Sequence, residues 1–243
     1  MPETLKGKIA LVTGASRGIG AAIAERFAAE GAWVIVTARS LDSGPAHLEG
    51  TLHEVLASIR ARGGDGLAIQ SDLTDAASRA ALMERVEREA GAVDILVNNA
   101  AAAFYMPFDK FSAGRLRVAS AMNFEAPWDL CQRALPGMLA RRRGWILNLT
   151  SYAGEMPRGK PPFDAFQQSG GALLYGATKA ALNRFTVGLA AEMHAHNIVV
   201  NALMPLQMVI TPGVRAMGID SNSPGVNVEP VEAMAEAALA LCT

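Results

Sequence analysis

Two side chains four positions apart, Tyr175 and Lys179, lie in a stretch rich in helix formers, so both project from one face about one turn from each other. A free phenol ionises near pH 10, and an ammonium group beside it favours the phenolate. A downward displacement of about three pH units, worth roughly 4 kcal/mol, makes such a tyrosine a general acid and base near neutrality. A second cluster lies close to the start of the chain. The octapeptide TGASRGIG, residues 13–20, follows a β-branched run and leads into a helical one. Gly14, Gly18 and Gly20 permit a tight turn and close approach of the backbone to a pyrophosphate, and the helix N-terminus adds free N–H groups with a partial positive charge. Ser16, Arg17 and Ile19 fall within the same turn and are candidates to touch such a group.

These residues need a scaffold, and the hydrophobic pattern supplies one. Short apolar runs at 9–13, 33–37, 66–70, 95–98, 145–149 and 198–203 alternate with helix-forming stretches at 19–29, 48–61, 76–90, 123–142 and 173–195, and a further helix is predicted from Val231. That alternation predicts an α/β fold: a doubly wound Rossmann-type domain over 1–243, with a mostly parallel sheet of six or seven strands and helices on both faces. The strands are nearly continuous apolar runs, as expected for a sheet covered on both sides. Two Pro/Gly-rich stretches, 154–172 and 205–230, follow strands and are read as lids outside the strand carboxyl ends, where such sheets bind ligands.

Composition narrows the class further. A chain of 243 residues with 51% hydrophobic and 19% charged residues is not disordered. Its 22 basic against 23 acidic residues suggest neither nucleic acid nor an anionic membrane as partner. No apolar run approaches the roughly 20 residues of a spanning helix. The opening MPETLKGKIALVTG has no secretory pattern, and two cysteines make neither a disulfide framework nor a multi-cysteine metal site. A cytoplasmic protein without a metal is expected. The four histidines, His47, His53, His194 and His196, are read as surface residues.

The Gly-x3-Gly-x-Gly spacing, Asp72-Leu73, NNAA at 98–101, Asn123, Ser151 and Tyr175-x3-Lys179 occur in an order that resembles the short-chain dehydrogenase/reductase family from about Lys6 onward. Residues 40–64 and the run NALMPLQMVITPG are most similar to its hydroxysteroid-dehydrogenase-like branch. The resemblance implies that Ser151 hydrogen-bonds a substrate carbonyl and that Tyr175 delivers the proton, its acidity raised by Lys179 together with an oxidised nicotinamide ring. Lys179 would also hold the nicotinamide ribose, and Asn123 a water in the relay to solvent. It places Asp72 and Leu73 at the adenine, Asn99 and Ala100 along the cofactor, and Pro205, Val209 and Thr211 near the carboxamide. Here Ala101 replaces the family's glycine in NNAG, and Leu206-Gln207 its Pro-Gly turn. Tyr152 is rejected as the catalytic tyrosine because Met156 stands where a lysine is needed, and Thr150 is a rival to Ser151. The long separation between Ser151 and Tyr175 implies an extra flap, PRGKPPFDAFQQ. Phe104, Tyr105, Met106, Phe163, Phe166 and Met208 are candidates to line an apolar substrate pocket. The chain ends at LALCT, where family members continue into a final strand.

An NAD enzyme of this fold places an acidic residue at the end of the second strand, but this chain reads Thr37-Ala38-Arg39-Ser40. Arg39 and Arg17 suit a 2′-phosphate, which guanidinium groups hold through charge-assisted forks, so NADP(H) is expected; NAD(H) is the alternative if both arginines are merely solvated. The expected function is NADP(H)-dependent interconversion of a secondary alcohol and a ketone on a small-molecule substrate, by a homodimer or homotetramer packed through the helix GATKAALNRFTVGLAAEM. The competing reading is a non-catalytic dinucleotide sensor or scaffold.

Overall fold

The computed structural model describes residues 3–42, 48–156, 168, 173–223 and 225–243. Its strands are β1 (Ile9–Thr13), β2 (Trp33–Ala38), β3 (Asp65–Gln70), β4 (Ile95–Asn98), β5 (Gly144–Leu149) and β6 (Ile198–Leu203). They form one parallel sheet in the order β3-β2-β1-β4-β5-β6. Among the described residues the sheet therefore has six strands. The helices are α1 (Gly18–Ala29), α2 (Leu52–Ala61), α3 (Ala76–Glu89), α4 (Ala113–Ser120), α5 (Ala126–Arg141), α6 (Leu173–Met193), α7 (Pro212–Arg215) and α8 (Val231–Leu241).

The period-two geometry of a strand explains why nearly every strand position is apolar. Ala10, Val12, Val34, Val36, Ile95, Val97, Leu147 and Leu149 pack in one core with Ile23 and Phe27 of α1, Val55 and Ile59 of α2, and Met234 and Ala238 of α8. The intervening Leu11, Ile35, Leu96 and Ile146 enter a second core with Leu82 and Val86 of α3, Leu130 and Met138 of α5, and Leu189 of α6. Complete burial of Phe27 alone is worth about 1.5–3 kcal/mol.

Two boundaries differ from expectation for identifiable reasons. The helix predicted from residue 48 starts at Leu52, because the Thr51 hydroxyl accepts from the Glu54 N–H (3.2 Å) while the Glu54 carboxylate accepts from the Thr51 N–H (2.8 Å). The helix predicted over 123–142 is instead the end of a longer one: α4 runs through a wide turn at Ala121–Glu125, where the Ala126 N–H reaches the Ala121 carbonyl, into α5. Of the two expected lids, 157–167 and 169–172 lie outside the described residues, with Phe163, Phe166 and most of the PRGKPPFDAFQQ segment. The stretch 205–230 carries α7 and an isolated bridge between Met208 and Val228. Leu206 is tied to it by an N–H bond to Glu229 (3.1 Å).

The strand order reverses between β1 and β4. Segments leaving their carboxyl ends diverge there, opening the crevice where sheets of this kind receive a ligand.

Candidate active site

At the exit of β1 the backbone turns through Gly14 (φ 64°) and Gly18 (φ 56°), conformations open to glycine. The turn is braced from β4. Asn99 donates its side-chain amide to the Thr13 carbonyl (2.8 Å) and the Gly14 carbonyl (3.2 Å), and the Thr13 hydroxyl accepts from the backbone N–H groups of Asn99 and Ala100 (both 3.0 Å). A Cβ on Gly20 would lie 2.4 Å from the Asn99 amide nitrogen, one on Gly14 2.8 Å from the Ala100 Cα, and one on Gly18 2.9 Å from the Thr211 methyl. These glycines thus admit neighbouring protein as well as keeping the turn tight. Asn99 is a brace for the cradle, and Thr211, which caps α7, lies directly against it. Val209 is buried in the same core as Ala15, and Ile19 packs against that core. Ser16 is buried beside the turn.

The N-terminus of α1 has no side-chain cap and no acidic residue in its first turn, leaving its N–H groups open to an anion. Beside it, the Arg17 guanidinium donates to the Gly50 carbonyl (2.8 Å), the Ser40 hydroxyl (3.2 Å) and the Ser16 hydroxyl (3.3 Å), yet its Nη1 is buried with no partner among the described residues. A buried guanidinium nitrogen with nothing to donate to is costly until an acceptor arrives. Burial lowers the Arg17 pKa, the Arg39 charge lowers it further, and Glu54 opposes both. Arg39, Gln70, Ser71, Asp72 and Ser78 line an adjacent pocket of about 400 Å³. There the Asp72 carboxylate stays below its ordinary range: burial would raise it, but bonds from the Thr74 N–H and hydroxyl, with the Arg39 charge, outweigh burial. Leu73 points away into the second core, and its carbonyl accepts from Arg79 (2.8 Å). The cradle, the uncapped helix and the orphaned guanidinium nitrogen fit a phosphorylated dinucleotide.

Ser151 follows β5 and caps the short turn Tyr152–Gly154, its hydroxyl accepting from the Ala153 N–H (3.2 Å). The N-terminal turn of α6 packs against that turn so closely that a Cβ on Gly176 would lie 2.4 Å from the Ala153 carbonyl oxygen, and one on Gly154 2.8 Å from the Ala180 nitrogen. This contact between two glycines brings the Tyr175 side chain into a hydrogen bond with Ser151. Lys179, as buried as the core leucines, donates to the Leu149 carbonyl (2.6 Å) with its Nζ 5.7 Å from the Tyr175 ring centroid. Asn123, in the wide turn, is fully buried. Its amide donates to the Ala102 carbonyl (2.8 Å) and the Thr178 hydroxyl (2.9 Å) and accepts from the Ala102 N–H (2.8 Å). Four residues on stands Pro127, which has no N–H to offer the Asn123 carbonyl.

The protein's own groups act on the Tyr175 phenol in the direction opposite to that expected with an oxidised nicotinamide alongside. Burial, then the neighbouring Tyr105, push the phenol above its ordinary range, and the Ser151 bond only partly opposes them. Burial lowers Lys179 to about 8. Burial therefore favours the neutral phenol and weakens the charge of the ammonium beside it. Such a phenol is a proton donor.

Tyr152 is exposed and Thr150 buried, while Pro205 is half-buried after β6. His53 pairs with Asp42, and His194 and His196 lie on the short turn after α6, away from the site; His47 lies outside the described residues. Among the described residues no group of three or more His, Cys, Asp or Glu side chains is placed to hold a metal, and no helix is long and apolar enough to cross a membrane. Sequence reasoning missed Gly154, Gly176, Thr13 and the contact of Tyr105 with Tyr175. The first two carried a signal only in being glycines beside Ser151 and Tyr175.

A dinucleotide cradle at the sheet's reversal point, beside a serine, tyrosine and lysine on one wall, defines a Rossmann-type oxidoreductase. The chain belongs to the short-chain dehydrogenase/reductase family: residues 8–220 match the family model described as short chain dehydrogenase. It is 34% identical to the 3-oxoacyl-[acyl-carrier-protein] reductase FabG of Escherichia coli (strain K12), over 90% of this chain and 80% of that protein. It is also 34% identical to a fatty acyl-CoA reductase of Acinetobacter baylyi, over 93% of this chain and 71% of that one. Similar solved structures include a metagenomic short-chain oxidoreductase in complex with NADP (TM-score 0.79, 30% identity, 98% of this chain and 91% of that one). A short-chain dehydrogenase from Sphingobium yanoikuyae in complex with NADPH has a TM-score of 0.80 at 31% identity, covering 96% of this chain and 83% of that one.

Proposed function

We propose that the protein is one catalytic domain over 1–243, with 205–230 as a substrate lid, that uses NADP(H) to interconvert a ketone and a secondary alcohol. The observation that carries this reading is the convergence of Ser151, Tyr175 and Lys179 at the same carboxyl edge of the sheet as the glycine turn. The cofactor supplies or accepts the hydride when bound. Gly14, Ser16, Gly18, Ile19 and Gly20 form the pyrophosphate cradle, with Asn99 and Ala100 bracing it. Arg17 and Arg39 take the 2′-phosphate, Asp72 and the Leu73 backbone border the adenine, and Pro205, Val209 and Thr211 flank the nicotinamide end. Ser151 hydrogen-bonds the carbonyl oxygen, and Tyr175 donates its proton to that oxygen as negative charge develops there. Lys179 holds positive charge beside the phenol and reaches the ribose, and Asn123 anchors the route by which the proton is replaced. Half-buried Phe104 and Met106, with Met208, favour an apolar ketone.

Loss of NADPH fluorescence across a ketone panel that includes 3-oxoacyl thioesters tests the activity; no turnover of any member by the folded protein would refute it. For the cofactor, Arg17→Ala removes the buried orphan donor, and NADPH affinity is expected to fall about 10- to 100-fold, with NADH affinity nearly unchanged. Equal losses for both would show that Arg17 reads no 2′-phosphate. A homo-oligomer is supported by exposed apolar residues on α5 and α6: Trp128 is 44% and Val187 64% exposed, and Trp128 stacks on Phe185 at 4.9 Å. Light scattering should give a mass of at least two chains, and a monomer would remove this part of the proposal.

A further inference from the structure

The loop leaving β4 reaches the site by a second route besides the cradle brace. Its Ala102 backbone is held on both sides by the Asn123 amide, at 2.8 Å each way. Three residues further on, Tyr105 meets Tyr175 edge to face, with ring centroids 6.0 Å apart and planes at 67°. That is the preferred geometry for two aromatic quadrupoles and is worth about 0.5–1.5 kcal/mol beyond the area buried. The Tyr175 ring is thus held from three directions: the Tyr105 edge, the Ser151 hydrogen bond and the glycine contact of its own helix turn.

We propose that Tyr105 is a positioning residue for the Tyr175 phenol, its ring fixing the tilt of the Tyr175 ring and so the direction in which the hydroxyl presents its proton. The assignment rests on the reading of Tyr175 as the proton donor and deepens it. Tyr105 acts through Tyr175. Its ring supplies the contact, and its own hydroxyl is not required for proton transfer. The groups acting on the phenol are consistent with this: burial, Tyr105 and Ser151 set its acidity, and removal of the Tyr105 ring both admits water and takes away a neighbouring phenol.

The test uses three variants of the full chain: Tyr105→Phe, which keeps the ring, Tyr105→Leu, which keeps the apolar volume, and Tyr105→Ala. The chain has three tyrosines, so phenolate absorbance near 295 nm gives a titration free of substrate and cofactor. Tyr152 is 72% exposed, whereas Tyr105 and Tyr175 are half-buried. With the best ketone of the panel, Tyr105→Leu and Tyr105→Ala are expected to lower kcat about 10- to 100-fold with a smaller change in KM, while Tyr105→Phe stays within about threefold of the parent. In the titration, the slowest-ionising phenol moves to lower pH in Tyr105→Leu and Tyr105→Ala, and less in Tyr105→Phe. Parental kcat in Tyr105→Leu, or a Tyr105→Phe as impaired as Tyr105→Ala, overturns the proposal, as does an unmoved titration. If Tyr175→Phe retains turnover, the reading of Tyr175 itself fails, and with it this inference. If Tyr175→Phe is dead while Tyr105→Leu matches the parent, only the inference fails.

Discussion

Tyr175→Phe is expected to lower kcat for ketone reduction by about 10²- to 10⁴-fold, the contribution typical of a positioned general acid. The substitution leaves the ring and therefore its edge contact with Tyr105 and its partial burial. What it removes is the hydroxyl, and with it the hydrogen bond to Ser151 and the proton delivered to the substrate oxygen. NADPH affinity and unfolding temperature should therefore change little, and following NADPH fluorescence at saturating ketone isolates the chemical step. Turnover within a few-fold of the parent would mean that the proton comes from another group. The same geometry sets the pH profile. Tyr175 stays protonated through neutrality, whereas Lys179 loses its charge as pH rises through about 8. Reduction is accordingly expected to be flat below that pH and to decline above it, and a decline beginning well below neutrality would contradict the assignment of the ammonium.

A second large effect is expected from a single methyl group. Gly176→Ala places a Cβ 2.4 Å from the Ala153 carbonyl oxygen, a backbone atom that cannot rotate away. The N-terminal turn of α6 must then lift from the Tyr152–Gly154 turn, at a cost of about 1–3 kcal/mol in stability. Because Tyr175 and Lys179 ride on that turn while Ser151 stays on the other side of the contact, a shift of about 1 Å is expected to cost roughly 100-fold in kcat. Denaturant unfolding and steady-state kinetics on one preparation give both numbers. Gly188→Ala in the same helix is the control, since the nearest atom to its Cβ would be the end of the Arg184 side chain at 3.6 Å. If both variants behave like the parent, the two-glycine contact does not position the site.

Much of this was legible before the fold was known. Strand ends agree within a residue because the runs are mostly apolar and most are bounded by glycine, polar or charged residues, such as Lys8 and Gly14 around β1 and Asp94 and Asn99 around β4. Gly14, Gly18 and Gly20 fell in place because a turn between strand and helix is a local feature. The helix start at Leu52 was also local, and the Thr51 and Glu54 pair was its signal. The rest is tertiary. Nothing near Gly154 shows that Gly176 will lie against its turn, and nothing near Asn99 shows that its amide will close on the Gly14 carbonyl. The widened turn around Asn123 had one sign, the proline four residues later. The environment of Tyr175 is tertiary as well: a lysine four residues away is visible in sequence, whereas burial of the phenol is not.

The segment from Asn98 to Ala102 has two attachments only a few residues apart. Its first half grips the glycine turn through Asn99 and Ala100, and its second half is gripped by Asn123 through Ala102. Nucleotide docking and proton delivery therefore share a common mechanical strut too short to take up slack. Lengthening or shortening it by one residue would force one end out of register, so engineers seeking to retune either half should vary side chains there and leave the spacing alone.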